Sequence, residues 1–212
     1  NAYTGDQSNL TQKIAEVFGT DYLTDLVQNP QSQPDMDAIA DKMARIALEQ
    51  APSITPIIAS DIIISRNTSK DDIARYVHEF DIIILDSLAP LRAFHGKKNL
   101  AHIITYIVKK SDDAASLKAE KQLAMHVEAY NQFLTRIKTL PVPEDFISLH
   151  LDYLNTAVQE REALKKIKNI KNDTMLAIIG LREFMETTKK FNELQKQYIN
   201  LEQSKGIAIA HQ

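Results

Sequence analysis

The stretch Leu140-Pro141-Val142-Pro143-Glu144-Asp145 decides how the chain folds. Two prolines one residue apart cannot sit inside a helix, because each lacks an N–H and clashes with the turn before it. The residue ahead of each is pushed towards extended geometry. A new helix can start at once, since Pro143 suits a first turn and Glu144 and Asp145 suit the positive end of a helix dipole. The stretch therefore reads as a tight connection between two antiparallel helices.

Working outward, Leu123, Val127, Tyr130, Leu134 and Ile137 recur at spacings of four and three before the prolines. That is the pattern of a helix packing lengthwise on a partner. Ile147, Leu151, Leu154 and Val158 continue the pattern afterwards, with Leu164, Ile167 and Ile170 beyond. Asn172-Asp173-Thr174 reads as a second break, with Asp173 capping a last helix. On that helix Ala177, Gly180, Phe184, Thr187, Phe191, Leu194, Tyr198 and Leu201 keep the same alternation. Gly206 after Ser204-Lys205 supplies a left-handed stop, and 207–212 read as a trailing tail.

The N-terminal half reads as shorter helices. Asn9 caps one with Leu10, Ile14, Val17 and Phe18 on a face, extended by Leu23, Leu26 and Val27. Asp35 caps a second carrying Met36, Ile39, Met43 and Ile46, stopped by Pro52 and Pro56. Ser60-Asp61-Ile62-Ile63-Ile64-Ser65 is open to either an extended segment or a helical turn. Ser69-Lys70-Asp71-Asp72 opens another helix with Ile73, Tyr76, Val77, Phe80, Ile83 and Ile84, broken by Pro90 and Gly96. A further helix is expected over 99–110, and Ser111-Asp112-Asp113 starts the first long one.

The fold class expected is all-α: an antiparallel bundle of three long C-terminal helices with a smaller N-terminal helical part. The boundaries are 1–8 as linker or tag remnant, 9–110 as the N-terminal part, 111–206 as the bundle and 207–212 as tail, together one compact unit. The N-terminal helices either cover the bundle's remaining apolar face or sit at one end.

Composition narrows the function classes. Lys+Arg 25 against Asp+Glu 28 leaves a net charge of -3, which offers nucleic acid no overall attraction. Cys 0 removes disulfides, thiolate metal sites and cysteine nucleophiles. The five glycines are scattered, so no phosphate-binding loop is formed. No apolar run approaches the ~20 residues needed to cross a bilayer. The chain opens on Asn1 with a polar run, Thr4-Gly5-Asp6-Gln7-Ser8-Asn9, which reads as the trimmed edge of a longer protein.

The search for chemistry returns little. His78-Glu79 begins like a zinc-binding helix motif, but the second histidine position holds Ile82. His126 and His150 lack the Glu three residues before them that a di-iron bundle needs. Across an antiparallel turn at Pro141–Pro143 they stand roughly 10 Å apart, too far to share a metal. No cofactor, metal or catalytic set is expected. His150, between Leu149 and Leu151 with Tyr153 nearby, is the candidate pocket residue; otherwise it is a boundary histidine hydrogen-bonded to a neighbour. Lys165, Lys166, Lys168 and Lys171, with Lys109 and Lys110 placed nearby by the fold, form a candidate contact for an anionic surface. Their plainer role is to complement a helix C-terminus and pair locally, as Glu162 with Lys166.

Several landmarks carry a resemblance: Ser60-Asp61-Ile62-Ile63-Ile64 followed by Asn67-Thr68-Ser69 and Tyr76; Leu140-Pro141-Val142-Pro143 followed by His150; the break at Asp173; and Gly206-Ile207. From Leu10 onward the chain resembles a loose group of uncharacterised helix-rich proteins from candidate-phylum bacteria with small genomes. It departs from them at the last break, where Asp173-Thr174 stands in place of Asp-Pro. The resemblance implies one N-terminal membrane-spanning helix and an extracytoplasmic location for the rest. It implies no reaction. The expected function is a non-enzymatic structural or protein-interaction module of the cell envelope with a protein partner. The alternative is a small-ligand-binding protein or enzyme with a pocket between the N-terminal helices and the bundle, near His150.

Overall fold

The computed structural model describes residues 9–28, 35–49, 54–66, 69–92 and 114–207. Among them the helices are α1 (Leu10–Gln28), α2 (Met36–Glu49), α3 (Lys70–Arg92), α4 (Ala114–Ile137), α5 (Ile147–Lys168) and α6 (Thr174–Ser204). Two short strands, β1 (Ile64–Ser65) and β2 (Val142–Pro143), complete the architecture. The fold is an all-α bundle. The expected helix over 99–110, the opening of the first long helix at 111–113 and the Gly96 break lie outside the described residues.

The helix starts arise from capping chemistry. The Gln12, Ala38 and Asp72 amides donate to the side chains of Asn9, Asp35 and Ser69 at 3.2, 3.0 and 3.2 Å. Each satisfies one donor that a first helical turn leaves open. At the far end of α6, Gly206 takes φ 67°. Its amide donates to the Gln203 carbonyl at 3.0 Å, and the Ile207 amide to the Glu202 carbonyl at 3.1 Å. Ile207 does not trail off as expected: it is buried in the main core. A hydrophobic residue after the glycine folds back onto the helix in this type of stop.

One core joins four helices. Leu123, Phe133 and Ile137 of α4, Leu154, Leu164 and Ile167 of α5, Leu194 and Tyr198 of α6, and Val77 and Phe80 of α3 are packed together. α3 thus covers the face that three C-terminal helices would leave bare. The Tyr198 hydroxyl of α6 donates to the Val77 carbonyl of α3 at 3.3 Å, and the Phe80 and Tyr198 rings stack at 4.7 Å. Leu134 is 5% exposed on the α4 stripe. Truncating it to Ala is expected to cost ~2–5 kcal/mol, measured by urea unfolding. No measurable loss would place the stripe on the outside.

Two expectations at prolines are corrected. α3 does not break at Pro90 but runs on to Arg92. A proline in the last turn removes a single intrahelical bond, at a point where carbonyls lose their partners anyway. At the central connection, Pro143 does not begin a helix at once. Val142 and Pro143 are extended and pair in parallel with β1, Ile64 opposite Val142 and Ser65 opposite Pro143. The Val142 amide donates to the Ile63 carbonyl at 2.8 Å, supplying the ladder bond that proline cannot. A short 3₁₀ turn at Glu144–Phe146 comes next, and α5 starts at Ile147. The open reading of residues 60–65 resolves as both forms in succession: a 3₁₀ turn at Ala59–Asp61, then strand.

The central connection is therefore also the dock for the segment ahead of α3. Ile57 and Ile62 of that segment are buried. The Asn155 side chain of α5 clamps its backbone, accepting from the Ile57 amide at 2.7 Å and donating to the Ile57 carbonyl at 3.0 Å. α1 and α2 pack on each other and on the start of α6, where Leu10 and Ile14 form a small cluster with Met43, Met175, Leu176 and Ile179. Leu23 and Val27, expected to extend the buried face of α1, are 61% and 79% exposed.

Candidate functional site

α5 carries a buried seam: His150, Tyr153, Ala157, Glu160, Leu164 and Ile167, spaced by three and four. Two of its members, His150 and Glu160, are the chemically interesting groups of the molecule.

His150 is not at the border of the apolar stripe. It is 0% exposed. Its Nδ1 lies 3.0 Å from the Tyr76 hydroxyl of α3, and the rings of Tyr76 and Phe80 flank it at 6.0 Å. Nε2 makes no hydrogen bond of good geometry, although the Ile137 carbonyl is near enough to favour a protonated ring slightly. Burial dominates and lowers the His150 pKa to about 4. The ring is neutral at pH 7, with Nδ1 accepting from Tyr76 and the proton on Nε2.

Tyr76 and Phe80 continue into a ring cluster with Phe146, Tyr153 and Tyr198. Burial raises all three hydroxyls well above the ordinary tyrosine range, and the negative charge of Asp81 adds to it. Such hydroxyls are poor acids, and a ring with so low a pKa is a poor base. Efficient proton transfer needs values near the working pH. Hydrogen bonds from Tyr76 to His150 and from Tyr198 to Val77 tie α3 to α5 and α6 through this cluster.

Glu160 is 4% exposed between α4 and α6. Its Oε1 accepts from the Thr188 hydroxyl at 3.4 Å, a hydroxyl that also donates to the Phe184 carbonyl at 2.8 Å. Oε2 has no hydrogen bond of good geometry. Burial raises the Glu160 pKa to about 7, against weaker opposition from the Tyr130 and Thr188 hydroxyls. Its place is legible in the sequence: Glu160 falls seven and four residues before Ile167 and Leu164, on the same face.

Asp173 caps α6 as expected, accepting from the Leu176 amide at 3.0 Å. It also caps α1, which nothing in the sequence signals. The Leu10 amide donates to Oδ2 at 2.7 Å, and the Thr11 amide and hydroxyl to Oδ1 at 3.2 and 2.7 Å. Burial works to raise its pKa, but these donors together outweigh it and the net shift is downward.

The candidate lysines do not form one patch. Lys166 is buried and crosses to Glu183 of α6, its Nζ 2.6 and 2.7 Å from the two oxygens. It does not pair with Glu162, which instead binds Lys165 at 2.9 Å and Arg161 at 2.8 Å. Lys171 meets Glu120 at 2.6 Å. Among the described residues Lys168 alone of the four has no carboxylate partner. Lys109 and Lys110 lie outside the described residues.

An open cleft of ≈ 390 Å³ lies where the segment ahead of α3 meets α5 and α6, lined by Ile54, Gln159, Glu183, Glu186, Thr187 and Lys190. It adjoins the segment ahead of α3 and not the N-terminal helices where a pocket is expected, and His150 does not line it. Glu183 is held by Lys166, and Glu186 by Arg182 at 3.0 Å. His78 and Glu79 are exposed on α3. Among the described residues no three His, Asp or Glu side chains gather to hold a metal, and no helix is long and apolar enough to cross a membrane. In comparisons with known proteins, the chain matches no family model, no curated protein sequence and no solved structure.

Proposed function

We infer that this chain is a non-enzymatic helical module that acts by contact with another protein at the cell envelope. Its supposed place outside the cytoplasm, behind an N-terminal anchor, rests on the resemblance to helix-rich proteins of candidate-phylum bacteria. One observation carries the contact reading. Ile58, Ile63 and Ile64 are 56%, 50% and 46% exposed on a single short segment. That segment is fixed by the Asn155 clamp and by pairing to β2, so its apolar side chains are presented from a firm base. Exposed aliphatic groups gathered on a rigid support mark interaction sites more often than scattered ones do.

The small-ligand reading has the cleft in its favour, whose volume is in the usual range. Its two carboxylates are already engaged, however, so it offers few convergent free groups. Immobilised protein should capture a partner from the native envelope. Changing Ile58, Ile63 and Ile64 together to Ser should abolish that capture without altering the melting temperature. Undiminished capture by the triple variant would refute this surface as the contact.

A further inference from the structure

We propose that α1 and α2 form a strap that lifts off the bundle as a unit, with the Asp173 carboxylate as its latch. This rests on the fold alone and is independent of the partner reading. The main core runs through α3, α4, α5 and α6 and, among the described residues, contains none of α1 or α2. The strap has its own small cluster, with Leu10 and Ile14 as its buried members against the half-buried Met175, Leu176 and Ile179 of α6.

A cluster of hydrogen bonds ties the start of α1 to the bundle at one place. The Leu10 amide and the Thr11 amide and hydroxyl go to Asp173. The Asn9 side chain donates to the neighbouring Asn172 carbonyl, and the Met175 amide donates back to the Thr11 hydroxyl at 2.9 Å. One carboxylate thus serves two helix N-termini, and losing it opens donors on both. Beyond the strap, the chain is seized again at Ile57 by Asn155. Release of α1 and α2 therefore has a natural limit, because Ile54 packs on the main core and Ile57 is held by Asn155. Units with few buried contacts and a localised set of hydrogen bonds open at lower free energy than the core. Opening bares the methionine-bearing start of α6, a surface that its own chain otherwise covers.

The test separates the two jobs of Asp173. Serine at 173 can still cap α6, but one hydroxyl cannot also serve three donors of α1. Hydrogen exchange of the full chain, read out by mass spectrometry, should show peptides of α1 and α2 exchanging at least ten times faster than those of α4 and α5 in the unaltered protein. In Asp173→Ser the strap peptides should speed up by a further tenfold or more, while peptides around Phe133, Leu154 and Leu194 keep their protection. Thr11→Val should act in the same direction; it leaves the Leu176 amide on Asp173 and removes from α6 only the Met175 bond. Strap and bundle exchanging together at one rate, in the unaltered protein or in Thr11→Val, would overturn the proposal. So would an Asp173→Ser protein whose strap exchanges no faster than before.

Discussion

Replacing Gly180 with leucine should cost more than ~4 kcal/mol and separate α5 from α6, a loss of the size seen when a packed core is overfilled or opened. A Cβ built at Gly180 would lie 2.6 Å from the Ala163 carbonyl oxygen and 2.7 Å from Lys166 Cβ. Both obstacles belong to the neighbouring helix, and the first is backbone, so neither can swing aside. Ala163 is fully buried at this crossing. The Lys166 to Glu183 pair closes over the same contact, one turn from it. Pushing α6 outward would therefore also stretch an ion pair with one buried member, which is costly to leave half-made. Even Gly180→Ala should destabilise, because the steric cost of ~1–3 kcal/mol exceeds the ~1 kcal/mol that alanine gains in helix propensity. Gly19 is the control. It too is inside a helix, but nothing lies within 4 Å of its missing Cβ. Gly19→Ala should stabilise by ~0.5–1 kcal/mol. Urea unfolding of the two alanine variants decides the matter: a stabilised Gly180→Ala would mean the helices do not approach as closely as this.

The contrast between these glycines shows what the sequence does and does not reveal. Both interrupt helical patterns, and periodicity places Gly180 on the inner face. Only the partner helix explains why that position tolerates no side chain. The same holds elsewhere. The stripes of α4, α5 and α6 and the caps at Asn9, Asp35, Ser69 and Asp173 depend on residues a few places apart, and they are legible. The pairing of Val142 with Ile63 and the Asn155 clamp on Ile57 join distant residues, and no local pattern announces them. A two-residue strand has no room for the alternation that betrays a longer one. The local preference of Pro143 is accordingly for a helix start, whereas a long-range ladder holds it extended. The second role of Asp173 is hidden for a like reason: α1 arrives from 163 residues away.

The seam of α5 leads to a second large effect, which is a change in how stability varies with pH. Glu160 has its folded pKa raised to about 7 from 4.5. Its contribution is fully present below pH 4.5 and is lost as pH rises through 7, in all about 3 kcal/mol at ~1.4 kcal/mol per unit. His150 has its folded pKa lowered to about 4 from 6.5. A buried neutral histidine works in the opposite sense: its contribution is present above pH 6.5 and is lost as pH falls towards 4, again about 3 kcal/mol. Between pH 4.5 and 6.5 the folded chain holds the proton of Glu160 while the unfolded chain holds that of His150. The two proton counts match, so their slopes cancel across this window, leaving the smaller rise with pH that His126 adds because burial lowers its pKa too. The groups are ten residues apart on one helix, roughly 15 Å along its axis, so they cannot relieve each other as an ion pair. Each can then be removed separately. In Glu160→Gln the glutamate slope vanishes and stability should fall steadily from pH 6.5 to pH 4.5, while above pH 7 the variant should exceed the parent by as much as about 3 kcal/mol. In His150→Gln the histidine slope vanishes and stability should instead fall from pH 4.5 to pH 7. Below about pH 3.8 both variants should weaken with the parent, because Asp173, whose pKa is lowered on folding, then loses its charge and its hold on two helix starts. Urea midpoints at half-unit steps of pH would reveal opposite tilts around the parent. Two variants tilting the same way, or a parent already steep between pH 5 and 6, would contradict the burial of one or other group.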